Sequence, residues 1–238
     1  MLAKPDVGDG KQVMTKIYDP RYLEKSMAKI ASCSSYPWNF ANGQAAAMAW
    51  PQNSELSDEE LVDKIYFDLP GDLNGEDLTT RHLFWEERFY CLSKNSYNSE
   101  LSAYERLKHL QGSAIPRLIM AGRFLPLDER VIQPPSLVLE YIPSVSLCDV
   151  SSTAITPAIC AQLVSAIEIL PAHDVIHNDI TLTNIHFTPP ERPEWAFVID
   201  FGCPMIRRED HDEVLWWATR LLEDKDIRKS AGGLTISR

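Results

Sequence analysis

The feature that most limits what this chain can become is a polar cluster framed by short apolar runs. It reads Val175-Ile176-His177-Asn178-Asp179-Ile180-Thr181-Leu182-Thr183-Asn184-Ile185, followed by Phe197-Val198-Ile199-Asp200-Phe201-Gly202. Apolar runs this short read as buried strands, and the polar residues between them fall on loops at the strand ends. Two carboxylates and an amide placed on such loops are able to reach a metal ion and a phosphate. The plain alternative makes Asp179 and Asn184 turn residues and Asp200-Phe201-Gly202 an ordinary strand exit.

Phosphoryl transfer needs these residue types. It asks for a group that orients an attacking hydroxyl and accepts its proton, and for oxygen ligands to magnesium, with little covalent work from the protein. Asp179 suits the first task. Asn184 and Asp200 suit the second, because magnesium is a hard cation that takes oxygen ligands and keeps several waters. A His-x-Asp-x4-Asn match alone arises by chance in about one chain in a hundred, and a correctly spaced Asp-Phe-Gly lowers that by roughly a thousandfold. The pattern resembles the catalytic loop and Asp-Phe-Gly motif of the protein-kinase-like superfamily, which includes the aminoglycoside and choline phosphotransferases.

That resemblance implies an α+β fold of two lobes. The N-lobe would be a truncated antiparallel sheet over residues 1–143, with an insertion at about 31–95. The C-lobe, small and helical, would cover 144–238 and carry both motifs. It also implies ATP and Mg2+ as cofactors, and a hydroxyl-bearing protein or small molecule as the phosphate acceptor.

Further landmarks follow from the same resemblance. Val13 to Tyr18 reads as a strand stopped by Asp19-Pro20, with Lys16 among its apolar residues. Lys16 is then either an edge-strand lysine that discourages aggregation or the strand lysine that touches the ATP phosphates. Asn98 to Leu110 has a helical period, and Gly112 marks its end. Glu100 falls in the first turn of that helix, where a carboxylate suits the helix dipole. In the kinase pattern it pairs with Lys16 instead, with Glu105 as the fallback on a different face. The run Glu-x-x-Ala-Tyr-x-x-Leu from Glu100, with Gln111-Gly112 and Ile115-Pro116-Arg117-Leu118-Ile119, is similar to kinase-like proteins abundant in fungi. Ser136 to Pro143 is similar to the kinase hinge. Leu139 would take the gatekeeper position, and the main chain of Glu140 and Ile142 would meet the adenine edge.

The chain also departs from the pattern. No Gly-rich loop stands a full strand ahead of Lys16, since Gly8 and Gly10 are too close to it. The expectation is a truncated kinase-like chain, a sequence that has lost its start, or another cover for the nucleotide. Thr181 stands where Ser/Thr protein kinases carry lysine, and Asn178 where many carry arginine. Both differences point toward small-molecule acceptors. Beyond Asp200 only 38 residues follow (238 − 200), with no Ala-Pro-Glu. A catalytically weak or inactive kinase-like module that binds nucleotide or protein is the alternative function.

The rest of the chain narrows the partners. Net charge is −11, which repels nucleic-acid backbones and excludes them as expected partners. Five scattered cysteines without a C-x-x-C read as reduced thiols. No run is apolar enough to span a bilayer, and the expected location is the cytosol or nucleus. Asp68 to Asp77 lacks the sixth-position glycine of a calcium loop. His173 and His177 are separated by a turn and make no zinc pair, and His177 reads as a buried histidine that fixes its loop. Asp9-Gly10 is a hairpin signal, Arg21 to Ile30 a short helix, and Ser57-Asp58-Glu59-Glu60 a helix-opening capping box. Thr80 to Cys91, Thr156 to Leu170 and Asp212 to Glu223 are the other expected helices.

Overall fold

The computed structural model describes residues 12–19, 78–125, 133–207 and the single positions 40, 41, 44, 48 and 216. The expected hairpin at Asp9-Gly10 and the helices at Arg21 to Ile30 and from Ser57 lie outside these residues. So does the helix from Asp212, except Trp216, which is helical and buried. The fold is mixed α and β, with small sheets and few helices among the described residues. No helix among them is long and apolar enough to cross a membrane.

The chain forms two compact units. The first comprises Met1–Lys16, Asn98–Ala121 and Leu137–Arg238, and the second comprises Ile17–Tyr97 and Gly122–Ser136. Three strands make one sheet in the order β1 (Val13–Ile17), β3 (Pro135–Glu140), β2 (Leu118–Arg123). In the first unit the Glu140 N–H donates to Arg117 O at 2.9 Å. In the second, Tyr18 N–H donates to Pro135 O at 3.0 Å and Phe124 N–H to Pro134 O at 2.8 Å. The central strand is the most buried: Ser136, Leu137, Val138 and Leu139 are all inside. β2 starts at Leu118, later than Ile115, because Pro116 has no N–H to give a ladder.

Instead of two helices, one helix, α1, runs from Leu78 to Arg106. The link between the two expected segments, Leu92-Ser-Lys-Asn-Ser-Tyr97, is polar but holds neither Gly nor Pro. Nothing in it therefore stops a helix packed on either side. α1 also ends earlier than the expected Leu110, giving way to a 3-10 turn at Lys108–Leu110. Gln111 closes this end. Its Nε2 donates to Tyr104 O at 2.8 Å, a carbonyl the helix leaves over, and its Oε1 accepts from Leu118 N–H at 2.9 Å. Gly112 takes φ 77, with its N–H on Ile115 O at 2.7 Å.

The remaining elements of the first unit build the platform for the polar cluster. β4 (Val145–Ser146), β6 (Ile185–Thr188) and β7 (Trp195–Val198) form an antiparallel sheet in the order β4-β6-β7. Ile185 and Phe187 are buried while His186 and Thr188 are half-exposed, the period-2 pattern of a one-sided sheet. Helix α2 (Pro157–Ile169) packs on β7. It starts as its sequence predicts, with Pro157 in the first turn and the Thr156 hydroxyl accepting from Ile159 N–H at 3.3 Å. Its inward face is Ile159, Ala166 and Ile167, with Leu170 just beyond its end, whereas Val164 faces solvent. β5 (Val175–Ile176) pairs antiparallel with β8 (Met205–Ile206), closing the segment that carries both motifs.

Replacing Gln111 with Ala leaves the Tyr104 carbonyl and the Leu118 N–H without their partner. We expect a loss of about 1–3 kcal/mol in urea unfolding, with the urea dependence unchanged.

Candidate active site

Lys16 projects from β1, and its Nζ donates to Glu100 Oε2 at 2.5 Å and to Asp200 Oδ1. Glu100 is completely buried and Asp200 is 47% exposed. Glu100 lies near the C-terminal end of α1, not in its first turn, so the helix-dipole account of this residue is overturned. Burying a carboxylate is costly unless an opposite charge meets it. The Lys16 ammonium offsets part of that cost. Glu105, on its other face, is exposed.

The proton affinities agree with this arrangement. Burial by itself lowers the Lys16 pKa, but the Glu100 and Asp200 charges outweigh it and hold the ammonium above its ordinary value. Burial raises the Asp200 pKa, yet the Lys16 charge and the Gly202 N–H bring it below the ordinary carboxylate value. Gly202 is packed over the pair. A Cβ at this position would lie 3.0 Å from Asp200 Oδ1 and 3.5 Å from Lys16 Nζ.

Asp179 and Asn184 form a second pair. Asn184 is buried, and its Nδ2 donates to both the main-chain oxygen and Oδ2 of Asp179, each at 3.0 Å. Its amide oxygen is thereby turned away from Asp179. The loop between them is closed by Asn184 N–H on Thr181 O at 3.1 Å. Asn178 takes φ 62, a left-handed conformation in which Asn is several-fold enriched.

His177 joins the two motifs. It is fully buried, and the Asp179 N–H donates to its Nδ1 at 3.3 Å. Nδ1 is thus the acceptor, and Nε2–H donates to Ile199 O at 2.9 Å. This neutral tautomer ties the backbone at Asp179 to the residue before Asp200. The Ile199 N–H on Asn184 O at 2.9 Å adds a second tie. Asp200 then turns at φ 64, with its Oδ1 accepting from Gly202 N–H at 3.2 Å. The Phe201 ring packs under the cluster against Tyr104, with centroids 5.7 Å apart, and against His177 at 4.6 Å.

The structure thus brings Lys16, Glu100 and Asp200 into contact and pairs Asp179 with Asn184. Burial raises the Cys203 thiol pKa, and the Asp179 and Asp200 charges raise it further, so the fields of both carboxylates overlap there. Leu139 is buried at the end of the central strand. Glu140 turns toward β2, its Oε2 accepting from Arg117 N–H at 3.2 Å, and Ile142 O accepts from the Ser144 hydroxyl at 3.0 Å. Neither touches the lysine cluster through a hydrogen bond among the described residues. Sequence reasoning did not single out Gln111 as a bridge or Tyr104 as the ring under Phe201. The only signal for Tyr104 was its spacing one helical turn after Glu100.

The donor set fits magnesium. Asp200 Oδ2 accepts no hydrogen bond among the described residues and the side chain is half-exposed. Asn184 offers an amide oxygen. Among the described residues no three His, Cys, Asp or Glu side chains make a metal cluster. Magnesium needs no such cage, since it is commonly held by one or two carboxylates with phosphates and water.

The neutral His177 sets an acid limit on stability. Burial depresses its pKa below the ordinary 6.5, so above pH 6.5 it is neutral in both folded and unfolded chains. As pH falls below 6.5 the unfolded chain takes up a proton that the native chain refuses, and stability is lost through the folded pKa. His177→Leu should flatten part of that loss in unfolding curves between pH 7 and roughly pH 5. His186, also depressed chiefly by burial, still contributes in that variant.

No protein-family description matches the chain, and no curated protein matches it. Among solved structures it is similar to the kinase PK-1 of Cydia pomonella granulovirus. Identity is 20% over 46% of this chain, and the TM-score is 0.34. The match spans 39% of that kinase's length.

Proposed function

We propose that the chain is a phosphotransferase with a two-lobe kinase-like fold, moving the γ-phosphate of ATP, with Mg2+, to a hydroxyl of a protein or small molecule. One observation carries the reading: a single ammonium, Lys16, sits between a buried carboxylate and the half-exposed carboxylate that turns out of the Asp-Phe-Gly segment. Asp179 stands beside Asn184, and Glu100 and Asp200 both accept from Lys16. A divalent cation held by Asn184 and Asp200 would bring positive charge to these carboxylates.

Each residue then has a task that its surroundings support. Lys16 donates to phosphate oxygens while Glu100 holds its stem in place. Asn184 and Asp200 supply oxygen ligands to magnesium, which offsets phosphate charge when bound. Asp179 accepts the proton of the attacking hydroxyl, and the Asn184 amide fixes the direction of its carboxylate. The main chain of Glu140 and Ile142 faces the adenine edge. Thr181 and Asn178, neutral beside Asp179, suit a small-molecule acceptor. The proposed location is the cytosol or nucleus, without nucleic-acid or membrane partners.

A second reading is a module that binds nucleotide or protein without turnover. The Lys16–Asp200 ion pair favours it, because an ammonium already donating to two carboxylates has less to give a phosphate.

Thermal melts with and without Mg-ATP decide between them. A rise of about 2–5 °C in wild type, lost in Asp200→Ala, is the expected result for nucleotide binding. Asp179→Ala should keep the rise and lower ATP turnover by about 10²–10⁴-fold. Turnover equal in Asp179→Ala and wild type rejects catalysis by this site, and the absence of a rise in wild type rejects the nucleotide reading.

A further inference from the structure

The segment that follows Ile142 is tied down on β6. Thr188 donates its hydroxyl to Pro143 O at 2.6 Å, and Val145 and Ser146 pair with Phe187 and His186. Between these ties His186 spans two loops. Its Nε2 lies 3.2 Å from Thr183 O, and its Nδ1 lies 2.8 Å from the Ser144 hydroxyl. A carbonyl oxygen only accepts, so Nε2 carries the ring proton. Burial lowers the His186 pKa, which keeps the ring neutral at neutral pH. Nδ1 is therefore an acceptor, and the Ser144 O–H is its donor. The same hydroxyl also lies 3.0 Å from Ile142 O. A serine has one proton to give, and here two acceptors face it.

We propose that the Ser144 hydroxyl is a two-position donor, shared between Ile142 O and His186 Nδ1, and that it makes the Ile142 carbonyl a recognition point for a ligand N–H. A ring or amine N–H set on Ile142 O takes the place of Ser144 there. The Ser144 proton then goes wholly to Nδ1, so both acceptors are satisfied and neither is left bare. His186 is held at both nitrogens in that state, and its Nε2–H keeps Thr183 O, next to Asn184, in place. Ser144 and His186 are in this sense positioning residues. They act between a carbonyl of the expected adenine edge and the loop that carries Asn184. The inference deepens the nucleotide reading and rests on it for the class of ligand, a base with an N–H donor and not a bare phosphate.

Nuclear magnetic resonance of the full chain tests both positions of the hydroxyl. Comparison with His186→Phe assigns the Nδ1 signal among the six histidines. Without nucleotide, Ser144→Ala should move the Nδ1 signal downfield and the Ile142 carbonyl-carbon signal upfield, because each loses part of one hydrogen bond. Ser144→Thr, which keeps a hydroxyl, should leave both near their wild-type positions. Movement of one signal with the other unchanged overturns the shared donor. Mg-ATP should then move Nδ1 upfield in wild type and leave it unmoved in Ser144→Ala. Mg-tripolyphosphate, which has no base, should move it in neither. A thermal rise with Mg-ATP but no change at Nδ1, or an equal change with tripolyphosphate, overturns the proposal. The absence of a thermal rise in wild type removes the nucleotide reading, and the nucleotide-free comparison still decides the shared donor.

Discussion

Glu100 is a charged carboxylate with no exposure, and Lys16 is an ammonium held against it. Desolvating such a group costs several kcal/mol unless an opposite charge meets it with good geometry. The site follows from that requirement. β1 has to present Lys16 toward α1, and α1 has to continue past its polar middle. The same ammonium is then available to Asp200. Removing Lys16 takes a compensating charge from the buried Glu100, so the pair specifies the arrangement more than it adds to stability.

The second constraint is the neutral imidazole of His177. Its two nitrogens have opposite roles, one accepting from Asp179 N–H and the other donating to Ile199 O. Two loops that are 20 residues apart in sequence are thereby locked by one small rigid ring. Left-handed turns at Asn178 and Asp200 let the chain reverse on either side of it. Asn and Asp tolerate this conformation better than most residues, which is a local reason for their presence apart from any chemistry.

Much of this was legible in the residues. The apolar pairs around His177 and Asn184 announce short strands, Thr156-Pro157 announces the start of α2, and the buried role of His177 follows from its flanking Val175-Ile176. Other features were not. The reading of two helices failed because local polarity at Leu92–Tyr97 is a weak signal, and a stretch without Gly or Pro does not end a helix. With the helix boundary misplaced, Glu100 carried a dipole explanation that the fold removes. Gln111 gave no sign of its role either, since bridging Tyr104 O and Leu118 N–H depends on two segments meeting in space.

The sequence by itself determined which side chains could do chemistry and which short segments would be strands or turns, because hydrophobic pattern and turn chemistry act over a few residues. Only the tertiary structure decided that Lys16 and Glu100, 84 positions apart, share a proton donor and acceptor, and that Asp200 joins them. Such long-range pairing is set by which segments meet in space, where burial makes each charge depend on the others. No local pattern encodes that dependence, since desolvation exists only once the segments have come together.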